Sequence, residues 1–254
     1  MKIIILSAGR GIRMGDFTIN TPKCLMDLGN GMTVVESQLE NIKLNPEISE
    51  IVLVLGYLAE QVESKILKYM KELNIKVIFN PFFDVSNNFI SLWMARHEMT
   101  EDFIILNGDN IFHEEVLKKL INISKDGIHL TIDKKESYEH GDMKVLLNDG
   151  IVTKVSKEID IGDAHGESVG IIKVQGKVVV DKFRNTVEMM ARDFKYHNLF
   201  YLEIFNRLAD EGYPVNHIEI HPDDWGEIDF HGDLNSVKDN LDKFISEKMK
   251  RWER

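Results

Sequence analysis

Four short, largely apolar runs dominate the first half of the chain: Ile3–Leu6, Ile51–Leu55, Ile75–Phe79 and Phe103–Leu106. Amphipathic stretches separate them. Val35, Leu39 and Ile42 share one face of a helix within Thr33–Lys43, and Leu58, Val62, Ile66, Tyr69 and Leu73 mark another at three-to-four spacing. Phe89–Glu98 reads as a third helix. A strand that stays apolar on both faces needs cover on both sides. Strands alternating with helices supply that cover, so the pattern predicts a doubly wound α/β sheet, parallel in this half.

The second half is less regular. Ile128–Ile132, Met143–Leu147, Ile151–Val155, Ser168–Val174 and Val215–Ile220 read as strands, with Asn148-Asp149-Gly150 as a hairpin turn. Asp181–Asp193 and Leu199–Glu211 read as helices. Leu234, Val237, Leu241, Phe244, Ile245, Met249 and Trp252 trace one face of a C-terminal helix, with both signs of charge on the other face. No repeat, low-complexity tract or Pro/Gly linker divides the 254 residues, so one domain is expected.

Composition narrows the function. The net charge of −11 argues against non-specific nucleic-acid binding, which needs a basic face. The apolar run Ile3–Leu6 is too short for a signal or a membrane span. Cys24 is the single cysteine, so no intrachain disulfide forms, and a cytoplasmic location is the expectation. Cys24 itself reads as a small buried hydrophobe. His217 and His221 flank a strand end rather than sharing a helix face, and no zinc spacing is present.

The densest chemistry follows the first strand. Leu6-Ser7-Ala8-Gly9-Arg10-Gly11-Ile12-Arg13 leads to Thr21-Pro22-Lys23. Glycines directly after a strand let backbone N–H groups close on a phosphate, and Arg13 and Lys23 add two cations. Neither familiar phosphate loop fits. Met14 stands where a dinucleotide fingerprint needs its third glycine, and there is no Gly-Lys-Ser/Thr.

The run LSAGRGIRM…TPKCL resembles the signature of the nucleotidyltransferases that load sugar-1-phosphates and small phosphorylated alcohols onto NTPs. Val54-Leu55-Gly56-Tyr57 is similar to the end of that family's second strand. Asn80-Pro81 followed by Asn87-Asn88-Phe89-Ile90-Ser91-Leu92 resembles its choline-phosphate cytidylyltransferase branch, found in bacterial surface decoration. Asn107-Gly108-Asp109 and Trp225-Gly226-Glu227-Ile228-Asp229 are similar to the two segments that bring the family its metal carboxylates.

The resemblance implies a single nucleotide-diphospho-sugar-transferase-like domain of Rossmann-like, GT-A type, with a mixed, mostly parallel sheet. Residues 1–110 would form the NTP half, and 130–220 the acceptor subregion. It implies Arg13 and Lys23 as the catalytic cations. Leu6, Ser7, Ala8, Gly9, Arg10, Gly11, Asn80, Asn87, Asn88 and Gly108 would bind the nucleotide, with one of Asn87 and Asn88 capping a helix and the other reading the base. Asp109 and Asp229 would hold Mg2+. Lys157, Gly170, Tyr201 and Glu203 would face the acceptor. The implied reaction moves CMP from CTP to a small phosphorylated or phosphonate acceptor, by a cytoplasmic monomer or homodimer. A sugar-1-phosphate nucleotidyltransferase using UTP or dTTP, a glycosyltransferase of related architecture, and a non-catalytic scaffold stand as alternatives.

Overall fold

The structure, a computed structural model, describes residues 1–28 and 31–228. The expected C-terminal helix and Asp229 lie outside the described residues.

β1 (Lys2–Ser7), β2 (Glu50–Leu55), β3 (Ile75–Phe79) and β4 (Phe103–Asn107) are the four runs read from sequence. They pair in parallel, with β1 between β2 and β4: Ile4 lies opposite Val52 on one side and Ile105 on the other. The reason lies in the residues themselves. Ile3 and Ile5 pack with Leu39, Leu53 and Val62 on one face, while Ile4 and Leu6 pack with Val52, Phe89 and Ile105 on the other. A strand that feeds two cores must carry apolar residues at every position. Truncating Ile4 to alanine would cost about 2–5 kcal/mol.

The helices covering this half are α1 (Val34–Lys43), α2 (Ala59–Ile66), α3 (Asn88–Met94) and α4 (Glu114–Ile121). The second half adds β6 (Gly127–Asp133), β7 (Lys144–Asn148), β8 (Ile151–Ser156), β9 (Gly166–Gln175), α5 (Lys177–Ala191), α6 (Glu203–Asp210) and β10 (Val215–Ile220). The main sheet has the order β3-β2-β1-β4-β9-β6-β10-β8-β7. β9 runs antiparallel to β4, β6 and β7, and β8 antiparallel to β10 and β7. Among these strands only β8 and β9 oppose the common direction, which gives the mixed, mostly parallel sheet expected. The predicted hairpin is present between β7 and β8, with Asp149 at φ 48° and Gly150 at φ 77°.

Three helix expectations are corrected. The helix expected to reach Leu73 ends at Ile66, and the chain tightens into a 3₁₀ turn at Tyr69–Lys71. The helix expected from Leu199 begins at Glu203, because the Tyr201 N–H is taken by the Asn88 side-chain oxygen at 2.9 Å. That bond docks the turn before α6 against α3. α5 begins at Lys177, four residues ahead of the expected Asp181.

Two short strands went unread. β5 (Asn110–Phe112) pairs antiparallel with β11 (Trp225–Glu227). Three residues carry no periodicity, so nothing in the sequence marks either one. This ribbon carries the distant chain segment at 225–228 to the end of β4, where the Ile228 N–H donates to the Asp109 carbonyl at 3.0 Å.

Candidate active site

A cleft of about 870 Å³ opens at the C-terminal ends of β1 and β4. This is the point where the chain, having wound outward from β1 through β2 to β3, returns to the other side of β1. Open α/β sheets bind ligands at such switch points.

The loop after β1 forms one wall. Leu6, Ser7, Ala8, Gly9, Arg10 and Gly11 all line the cleft, and Arg13 reaches it from a 3₁₀ turn at Ile12–Thr18. The Thr18 hydroxyl pins this loop by donating to the Gly11 carbonyl at 3.0 Å. Arg10 donates to Asp84 at 2.7 Å and lies over the Tyr57 ring at 5.1 Å, tying the loop to the opposite rim.

Lys23 sits on the cleft floor, largely buried, with its Nζ 3.3 Å from Asp109 Oδ2. Asp109 is held in the turn between β4 and β5. Gln38 of α1 donates to the carbonyls of Asn107 and Asn110 at 2.9 and 2.8 Å, clamping both flanks of that turn. Gly108 is obligatory here, since a Cβ would stand 1.8 Å from the Ser7 hydroxyl and 2.8 Å from the Leu6 carbonyl. Beside Lys23, burial pushes the Cys24 thiol up to about 12, in keeping with a packed, unreactive side chain.

Asn87 and Asn88 also line the cleft, and they differ in role. Asn87 caps α3, its side-chain oxygen accepting from the Asn88 N–H at 2.7 Å. Asn88 spends its side-chain oxygen on Tyr201, leaving its amide nitrogen as a donor.

The other wall belongs to the second half. Lys157 lies over the Phe200 ring at 5.4 Å. Gly170 has φ +76° at an irregularity where β9 slips against β6, and a Cβ there would meet Asn107 Nδ2 at 2.2 Å. The Tyr201 hydroxyl is fully buried without a hydrogen-bond partner, and burial, with Asp109 and Glu227 nearby, pushes its pKa well above the usual phenol range. Lys157, Gly170 and Tyr201 all line the cleft.

Two expected site residues do not. Asn80 is 0% exposed. Its amide donates to the Ser91 hydroxyl at 3.1 Å and its oxygen accepts from Phe82 N–H at 2.9 Å, so it holds the β3–α3 turn from behind. Glu203 turns instead to Asn206 at 2.8 Å, and Asn206 in turn bonds both backbone groups of Val155. Asn206 thus latches α6 to β8, and the Glu203 carboxylate orients its amide.

The carboxylates that do line this wall were not singled out from sequence. Asp133 and Glu167 stand opposite each other across β6 and β9, with Lys135 paired to Glu167 and, at 3.4 Å, to Asp142. Burial pushes the Glu167 carboxyl up to about 7 against the pull of Lys135, with smaller repulsions from Asp142 and Asp133. Burial would lower the Lys135 ammonium, but the surrounding carboxylates raise it. The only sequence signal was charged residues at the ends of otherwise apolar strands, which is common. Glu227, from the ribbon, adds another carboxylate near Asp109.

Hard oxygen donors suit magnesium, which takes one or two carboxylates and completes its shell with substrate phosphates and water. Asp109 and Glu227 meet that description. Among the described residues no cluster of three or more His, Cys, Asp or Glu forms a closed metal cage. Nor is any described helix long and apolar enough to cross a membrane.

Residues 3–142 match the model of the MobA-like NTP transferase domain. The chain belongs to this NTP transferase family. It is 34% identical over 119 residues to the choline-phosphate cytidylyltransferase of Streptococcus pneumoniae, covering 46% of this chain and 48% of that enzyme. It is 25% identical over 256 residues to the CTP:phosphoglutamine cytidylyltransferase of Campylobacter jejuni, covering 92% of this chain and 98% of that one. The solved CTP:phosphocholine cytidylyltransferase of S. pneumoniae superposes with TM-score 0.76 at 21% identity, covering 96% and 98% of the two chains. The inositol-1-phosphate CTP transferase of T. maritima gives the same TM-score and identity, covering 96% of each chain. The fold of this family member is therefore the nucleotidyltransferase fold expected from sequence, and these relatives are nucleotidyltransferases.

Proposed function

We propose that this chain is a magnesium-dependent cytidylyltransferase. It transfers CMP from CTP to a small phosphorylated or phosphonate acceptor and releases pyrophosphate. The observation that carries the reading is the Lys23–Asp109 pair beneath the glycine loop, at the switch point of the sheet.

The loop from Ser7 to Gly11 would surround the triphosphate, with Arg13 and Lys23 neutralising charge on the α-phosphate and the departing pyrophosphate. Asn88 would read the base through its uncommitted amide, since cytosine presents ring-nitrogen and carbonyl acceptors. Lys157 would hold the acceptor's phosphate. An acceptor oxygen then attacks the α-phosphorus in line, a new P–O bond forms, and the bond to the pyrophosphate oxygen breaks. The acceptor dianion is already a nucleophile, so no side chain need take a proton. Asp109, with Glu227 and Asp229, would hold Mg2+, which supplies charge neutralisation on the phosphates when bound. Gln38 and Gly108 would fix where Asp109 stands. A cytoplasmic role in cell-surface polysaccharide decoration is the matching setting.

The test is pyrophosphate release with magnesium, offering CTP, UTP, dTTP, ATP and GTP against phosphocholine, aminoalkylphosphonates, phosphoglutamine and sugar-1-phosphates. Release with CTP and a non-sugar acceptor is expected. Release only with UTP or dTTP and a sugar phosphate would move the chain to the sugar branch. Failure to bind any nucleotide would favour a scaffold.

A further inference from the structure

The turn before α6 lies in the second half of the chain, yet α3 in the first half holds it. Three hydrogen bonds join them. The Asn87 N–H donates to the His197 carbonyl at 2.9 Å, and the Asn87 side-chain amide to the Asn198 carbonyl at 3.4 Å. The Tyr201 N–H donates to the Asn88 side-chain oxygen at 2.9 Å. Asn87 and Asn88 both line the cleft, but they spend their amides differently. Asn87 turns both ends of its amide to backbone, its oxygen taking the Asn88 N–H at 2.7 Å. Asn88 gives its oxygen to Tyr201, and because a backbone N–H can only donate, that bond settles which way the amide faces. The nitrogen, with two N–H donors, is the end turned away from Tyr201.

The turn that Asn88 holds carries part of the opposite wall. The Phe200 ring lies 5.4 Å from the Lys157 ammonium. Tyr201 is 0% exposed, with its ring edge-on to Phe205 at 6.3 Å. Its unpartnered hydroxyl stands close enough to Asp109 and Glu227 for their charges to act on it. The same turn starts α6, since the Glu203 and Ile204 N–H groups donate to the Phe200 and Tyr201 carbonyls at 3.1 and 3.0 Å. A small rotation of the Asn88 amide is therefore felt at Phe200, at Tyr201 and at the head of α6.

We propose that Asn88 is a positioning residue that couples the two walls of the cleft. A base held at its amide nitrogen aligns its oxygen with the Tyr201 N–H, and so sets the turn that carries Phe200 and Tyr201. This deepens the cytidylyltransferase reading and rests on it for the base. The amide is planar, so its nitrogen and oxygen turn together about one soft torsion. A bond made at one end removes freedom that the bond at the other end must also remove, and the two reinforce each other. The coupling is reciprocal: a turn already in place tightens the nucleotide by the same factor. No contact between the nucleotide and Tyr201 is required.

The test follows the Tyr201 amide by hydrogen exchange in the full chain, alone and saturated with CTP or UTP and magnesium, with the amides of β1 and β4 as the reference for global opening. CTP is expected to slow the Tyr201 amide by about 3–10-fold, the worth of one hydrogen bond. Asn88→Ala should exchange faster than the wild type by a similar factor and gain nothing from CTP. Asn88→Asp keeps an oxygen for the Tyr201 N–H but offers the base no N–H, so it should stay slow without nucleotide and also gain nothing. In pyrophosphate release with 2-aminoethylphosphonate and phosphocholine, Asn88→Ala should raise KM for both CTP and acceptor, and Asn88→Asp should recover the acceptor KM alone. A role in stability only would move kcat and both KM values without that split. CTP-bound wild type with no added protection at Tyr201, or an Asn88→Asp protein that responds to CTP as the wild type does, would overturn the coupling. Calorimetry on the same samples separates absence of nucleotide from absence of coupling. Protection gained with UTP and not with CTP would leave the coupling standing and remove the cytidine assignment.

Discussion

Glu36 in the first half of the chain and Glu167 in the second are both buried carboxylates, at 2% and 6% exposure, and the protein treats them in opposite ways. Glu36 accepts from the Thr33 N–H and hydroxyl at 3.0 and 2.9 Å, with Lys68 at 2.7 Å and Lys65 at 3.2 Å. Burial alone would raise its pKa, but these donors outweigh burial and hold it at about 2. Burial, helped by neighbouring carboxylates, outweighs Lys135 at Glu167 and raises it to about 7. The chain completes the first carboxylate from its own residues. It gives the second a single cation, Lys135, and sets it among other carboxylates beside the cleft. One is a structural cap on α1, and the other lines the cleft. A related division runs through the cleft, with the loop after β1, Arg13 and Lys23 on one wall and Asp133, Glu167 and Asp142 on the other.

The sharpest test of that division is Lys23→Ala. It should lower kcat by about 10²–10³ with every acceptor, as expected when a group stabilising transition-state charge is lost. Circular dichroism should show an intact fold. Near-normal turnover would remove Lys23 from the chemistry and break the assignment of the nucleotide wall.

Gly108→Ala strikes the junction of the two walls. The added Cβ has no room beside Ser7 and Leu6, so we expect a loss of about 2–3 kcal/mol in urea denaturation. Turnover should fall further than stability, because Asp109 moves with the turn.

The two glutamates should show opposite pH signatures. Glu36 has a folded pKa below its unfolded value near 4.5, so its contribution is present above that value and is lost as pH falls towards 2. Glu36→Gln should cost about 1–2 kcal/mol at neutral pH, a figure discounted because Lys65 and Lys68 are solvent-exposed, and the cost should fade in acid. Glu167 has a raised folded pKa, so the native state binds the extra proton between about 4.5 and 7 and stability falls as pH rises through that window. Glu167→Gln should be near neutral at pH 5 and stabilising by up to about 3 kcal/mol at pH 8. Denaturation curves at the two pH values decide it. Parallel behaviour of the two variants would dissolve the contrast.

The smallest effect is expected at the exposed Arg10–Asp84 pair. Asp84→Ala should leave stability nearly unchanged, since solvent screens such pairs. A larger change in thermal unfolding would mean that this contact closes the cleft rim rather than decorating it.

The parallel half of the sheet was legible because each strand there is buried on both faces, and burial on both faces writes a continuous apolar run into the residues. Glycines after β1 and the Asn-Gly-Asp after β4 were legible for a related reason: a close backbone approach tolerates few residue types. The tight β7–β8 hairpin announced itself through Asn148-Asp149-Gly150. Asn80 and Glu203 matched in type and spacing, yet their side chains point into local bonds, and side-chain direction is set by neighbours far along the chain. The Asp133–Glu167 pair and the β5–β11 ribbon were invisible for the same reason. Each joins segments more than thirty residues apart, through strand register that no local pattern encodes. Sequence alone determined the layered α/β class, the phosphate-ready loop and the candidate cations. Only the tertiary structure decided which polar residues share a cleft, because long-range packing sets whether a buried carboxylate meets several donors or is set among other carboxylates.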